Sequence, residues 1–116
     1  MKLNWISKQE TYSSADISIK VYQQKNSCVG GIIFRNKSDL AIGNNGYIQV
    51  AIDDNRLYFR QSNEKDGYHV NNKGGNSTKG LRIVNEQFYD FCKRYKGDYE
   101  MKYDRKNGLY FIEGKE

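Results

Sequence analysis

Between residues 47 and 61 apolar and polar side chains alternate, YIQVAIDDNRLYFRQ, broken only by the pair Asp54-Asn55. Alternation at period two marks a half-buried strand, and a two-residue break folds such a stretch into a β-hairpin. Both turn residues tolerate positive φ, as a type I′ turn requires. The turn sets Ile52 opposite Leu57 and Val50 opposite Phe59. Ile48, Val50, Ile52, Leu57 and Phe59 then share one face, and Tyr47, Gln49, Ala51, Arg56, Tyr58 and Arg60 the other. One side is core; the other is aromatic and cationic.

The same rule predicts a strand over 16–23, where Ile17, Ile19 and Val21 alternate with Ser18, Lys20 and Tyr22. A turn at 24–27 leads to a partner strand over 28–35, in which Gly30-Gly31 predicts a bulge or a close backbone approach. Shorter strands are expected at 68–70 and 81–84. Residues 1–15 are mostly polar, a short strand or an arm with Trp5 and Ile6 as anchors. Ser38-Asp39 would cap a helical turn running to Ile42 and ended by Gly43.

Over 85–96 the period becomes helical. Phe88, Phe91, Cys92 and Tyr95 fall on one stripe, Asn85 is placed to cap, and Lys93, Arg94 and Lys96 suit the last turn. The stripe is the expected cover for the Ile48–Val50–Phe59 side of the central hairpin. A second hairpin follows, with Tyr99, Met101, Tyr103, Leu109 and Phe111 at common parity and a loop over 104–108 that ends in Asn107-Gly108. Residues 71–80, NNKGGNSTKG, have almost nothing to bury and read as a mobile loop. Together these elements predict an α+β fold in one domain spanning 1–116. It is a mainly antiparallel sheet of five to seven strands, built of two or more hairpins and packed on one principal helix at 85–96.

Composition narrows this picture. A chain of 116 residues supports one core, and with 37 % hydrophobic residues and a mean hydropathy of −0.91 that core is small. Ten Tyr place amphipathic rings at the boundary of core and water. Cys28 and Cys92 follow no metal or redox spacing. No apolar run reaches signal-peptide or bilayer length, so the expectation is a cytoplasmic protein without membrane contact. Richness in Asn, Lys, Tyr and Ile points to an AT-rich coding sequence, as in a low-GC bacterium or its phage.

The net charge of +5 is unevenly spread: residues 55–84 carry +4, while residues 85–116 sum to zero. A positive middle favours an acidic partner such as nucleic acid, through phosphate attraction and counterion release. Catalysis has little to work with. His69 is the only histidine, on an edge strand or the surface, and no phosphate-cradling glycine motif is present. Asp53-Asp54 sits at a hairpin tip, where adjacent acids serve as turn formers more often than as metal ligands. The expectation is a non-enzymatic protein with neither metal nor cofactor.

The polar face of the central hairpin remains. Tyr47 and Tyr58 would stack on bases, Arg56 and Arg60 would meet phosphates, and Lys65, Lys73, Lys79 and Arg82 would extend the contact along the backbone. Residues 31–61 also resemble the swapped-hairpin DNA-binding domains of the AbrB type. The shared order is a glycine-led strand (Gly31-Ile32-Ile33-Phe34-Arg35), a short helical turn ending Leu40-Ala41-Ile42-Gly43, then Tyr47-Ile48-Gln49-Val50, an acidic turn and Arg56-Leu57-Tyr58-Phe59. The proline expected after the first strand is missing, and the residues beyond the match have no counterpart. The resemblance implies a homodimer that contacts DNA through Arg35 and Lys37. The sequence thus predicts a nucleic-acid-binding protein, a regulator from a phage or other mobile element. The alternative is a protein-interaction module, such as a phage-encoded inhibitor of a host enzyme, using the same face or the second hairpin.

Overall fold

A computed structural model describes residues 2–3, 15–24, 27–43, 46–72 and 79–115, so the expected N-terminal arm with Trp5 and Ile6 lies outside the described residues. Strands β1 (Ile17–Gln24) and β2 (Ser27–Phe34) pair antiparallel, with Ile17 opposite Phe34, Ile19 opposite Ile32 and Val21 opposite Gly30. A 3₁₀ turn (Asn36–Ser38) and helix α1 (Asp39–Ile42) follow, and Gly43 ends them at φ +77, where an L side chain is strained. Ser38 precedes α1 without making the expected side-chain cap and is itself buried.

The central hairpin is β3 (Tyr47–Asp53) and β4 (Arg56–Gln61), with Ile52 opposite Leu57 and Val50 opposite Phe59 as the alternation requires. Its turn is not type I′. Only Asp54 has positive φ (+55), whereas type I′ needs it at both central residues.

Short strands β5 (Tyr68–His69) and β6 (Asn71–Asn72) lead to β7 (Lys79–Ile83), and the expected loop over 71–80 therefore begins and ends in strand. Residues 73–78, Lys73 among them, lie outside the described residues. Helix α2 (Glu86–Tyr95) opens on Asn85, whose side chain accepts the Phe88 N–H at 2.9 Å. Strands β8 (Gly97–Tyr99), β9 (Lys102–Asp104) and β10 (Leu109–Glu113) complete the described chain.

Among the described residues these strands form two antiparallel sheets, not one. Sheet A runs β6–β7–β2–β1–β8 and sheet B runs β5–β3–β4–β10–β9. An expected single sheet of five to seven strands is thus two sheets of five. Among the described strands the chain crosses between the sheets three times: between β2 and β3, at Val70 between β5 and β6, and at the two-residue link Glu100-Met101 from β8 at the edge of sheet A to β9 at the edge of sheet B. Alternation reports which side of a strand is buried but not which sheet the strand joins.

Between the sheets lies one hydrophobic cluster, with Ile17, Ile19, Ile32 and Phe34 from sheet A and Ile48, Leu57, Phe59 and Ile112 from sheet B. Phe34 meets Phe59 edge to face at 5.9 Å. The helix therefore does not cover the Phe59 side of the hairpin as expected. Phe88 and Cys92 of α2 lie over Gly30 of β2, and near the hairpin tip Phe91 and Tyr95 of α2 line one shallow pocket with Ile52. Gly30 permits this approach, because a Cβ there would sit 2.6 Å from the Phe88 ring and 2.9 Å from the Cys92 sulfur.

The second hairpin departs from expectation in register. Leu109 pairs with Asp104, Tyr110 with Tyr103 and Phe111 with Lys102, so Tyr103 and Phe111 face opposite sides. Asp104 sets this. Its carboxylate accepts the backbone N–H groups of Lys106 and Asn107 and the Asn107 amide, and its carbonyl accepts from Gly108, giving a four-residue loop. No described helix is long and apolar enough to cross a membrane.

Candidate functional site

The outer face of sheet B is laid out in rows by strand register. One row reads Gln49, Arg60, Leu109, Asp104; the next Ala51, Tyr58, Phe111, Lys102; the third Asp53, Arg56, Glu113. Tyr47 shares this face beside His69, their rings 5.0 Å apart. Arg60 is exposed, and Tyr47, Arg56 and Tyr58 are half-buried.

Toward the hairpin tip the groups are engaged with one another. The Arg56 guanidinium sits 4.6 Å from the Phe111 ring centroid, donates to the Tyr58 hydroxyl at 3.3 Å and faces Glu113 at 4.0 Å. Lys102 approaches the same Glu113 carboxylate at 3.8 Å. The Tyr58 hydroxyl and Glu113 hold the Arg56 guanidinium above its ordinary value. Hydrogen bonds from Asn107 hold the Asp104 carboxyl below the usual carboxylate range, so it stays ionised.

Away from the tip the surface opens into a groove of about 280 Å³ between Gln49, Ala51, Tyr58, Arg60 and Leu109. Arg60 Nε donates to Gln49 Oε1 at 2.9 Å, which fixes both side chains along one wall. Phe111 packs on the Tyr58 ring with centroids 5.5 Å apart and planes 36° from parallel. Ala51 stands directly across the ladder from Tyr58 and is too small to cover the ring from that side. Arg105 and Lys106, both exposed, stand in the turn that runs into Leu109 at this end of the groove.

Comparison with known proteins finds no family model, no curated protein and no solved structure that matches this chain. Its own geometry is therefore the guide.

Of the residues predicted to form a nucleic-acid site, Tyr47, Arg56, Tyr58 and Arg60 share the outer face of sheet B. Lys65 lies exposed in the turns after β4. Lys79 and Arg82 belong to sheet A instead: Lys79 pairs with Asp39 at 2.9 Å, and Arg82 stacks on Tyr22 at 4.2 Å. The expected continuous path from hairpin to Arg82 is therefore divided between two sheets. Arg35 and Lys37 also have partners, Arg35 donating to Ser18 and Lys37 facing Asp16 at 3.7 Å and Glu100 at 3.4 Å.

Sequence reasoning missed Phe111, Leu109 and Glu113 because the second hairpin was set in the wrong register. It placed Ala51 on the correct face without noting that a small residue among rings leaves a gap. His69 is exposed on edge strand β5, and Asp53 and Asp54 are exposed at the hairpin tip. Among the described residues, no three His, Cys, Asp or Glu side chains converge as metal ligands would.

Proposed function

We propose that this chain is a non-enzymatic nucleic-acid-binding protein whose contact surface is the outer face of sheet B. What carries the reading is the groove in which Tyr58 and Arg60 face solvent side by side, a ring beside a cation. Rings stack on any base, and a guanidinium pairs with phosphate. Arg105 and Lys106 at the groove's open end, together with the net charge of +5, favour a polyanion. In this reading α2 is the principal helix and braces the fold from the inner side of β1 and β2, leaving the outer face of sheet B for the partner.

The test is binding of a labelled oligonucleotide against salt concentration. Affinity should fall as salt rises, and Arg60→Ala should weaken binding and flatten the log–log salt slope by about 0.7 to 0.9. Binding that ignores both salt and Arg60 removes the proposal.

A protein partner is the second reading, favoured by one observation. On the outer face of sheet B the three cations Arg56, Arg60 and Lys102 are matched in number by the acids Asp53, Asp104 and Glu113. Rings and arginines on a charge-balanced surface also suit protein recognition. A pull-down repeated after nuclease treatment separates the two: a nucleic-acid-bridged capture disappears, and a direct protein contact persists.

A further inference from the structure

We infer that the groove beside Tyr58 takes one unstacked base, so that the ligand is single-stranded nucleic acid and not duplex. The inference rests on the function proposed above and specifies the ligand of that same site.

Its basis is the asymmetry of the Tyr58 ring. One side is closed by Phe111, whose packing fixes the ring's attitude to the sheet. The other side lies above Ala51, the directly opposed residue, whose methyl leaves the ring uncovered. Strand pairs on an open sheet face normally cover one another with β-branched or aromatic side chains, so the gap is a recess. At about 280 Å³ it is a recess for a single planar ring system, floored by Ala51 and walled by Leu109 and the Gln49–Arg60 pair.

Charge at the recess matches that occupant. Arg60 forms part of the wall, and Arg105 and Lys106 stand in the adjoining turn. The one acid beside them, Asp104, turns its carboxylate back into its own loop. A base seated on Tyr58 would thus leave its flanking phosphates near cations. Bases in a duplex are stacked on each other and offer edges, so none enters such a recess without leaving the helix. A single strand offers free faces. Gln49 adds a further polar group: its amide oxygen is held by Arg60, which orients its NH₂ as a donor toward acceptors on a base edge.

The experiment measures fluorescence anisotropy with labelled strands of about ten nucleotides, as single-stranded DNA, single-stranded RNA and a duplex of the same sequence. The full chain is compared with Ala51→Ile, which fills the recess while keeping every ring and charge and suits an exposed strand. The expected result is tighter binding of single strand than of duplex, with Ala51→Ile weakening single-strand binding about tenfold, the scale of one lost stack. Preference for either sugar supports the inference, since the ring faces are common to both. Equal or tighter duplex binding overturns it, and so does an Ala51→Ile protein that folds normally by circular dichroism yet keeps wild-type single-strand affinity. If no strand of any kind binds, the function proposed above fails together with it.

Discussion

Gly30 illustrates how one missing side chain sets a helix in place. Phe88 and Cys92 occupy the volume that a side chain would need, so α2 lies directly on β2. Gly30→Ala should lower stability by about 1–3 kcal/mol, the usual cost of overpacking, as measured by urea unfolding. The Gly30-Gly31 pair was readable in the sequence as a site of close approach. Which group approaches was not, because that depends on the sheet to which the helix docks. Ala51 teaches the reverse. An alanine on an alternating strand is unremarked in the sequence, yet its place opposite Tyr58 leaves an opening beside that ring.

At the scale of elements, local chemistry accounts for what the sequence foretold. The cap at Asn85, the stripe Phe88–Phe91–Cys92–Tyr95 and the register of the central hairpin all follow from neighbours within a few residues. Asn85→Ala should cost about 1 kcal/mol through the lost bond to the Phe88 N–H, with helix content by circular dichroism unchanged in the folded state. The second hairpin was misjudged for a reason equally local. Asn107-Gly108 points to a loop over 104–108, but the Asp104 carboxylate gathers three N–H donors and Asp104 itself joins the ladder opposite Leu109, leaving a loop of four. A shift of one residue turns Phe111 outward, and with it comes the platform on which Tyr58 and Arg56 rest.

At the scale of the molecule, the division into two sheets follows from long-range pairing that no window of sequence contains. β1 joins β8 across most of the chain, and β10 joins β4. Burial of α2 against sheet A has a consequence for alkaline stability. It pushes the Cys92 thiol up to about 12 from an ordinary 9.0. The native state thus keeps a proton that the unfolded chain releases, so this contribution is complete below about pH 9 and lost as pH climbs toward 12. Unfolding free energy measured by urea titration should fall more steeply over that window for the native sequence than for Cys92→Ala.

The crossing from sheet A to sheet B at Glu100-Met101 carries one more implication. Met101 is buried, and its N–H is held at 3.0 Å by the buried carboxylate of Asp16, the residue that leads into β1. A hinge works by letting a few backbone torsions turn freely, and here both the peptide and the side chain are clamped. Swinging one sheet against the other at this link would break both contacts, so in the proposed complex sheet B is expected to act as a stiff plate. Any adjustment of shape on such contact would then fall to the ligand.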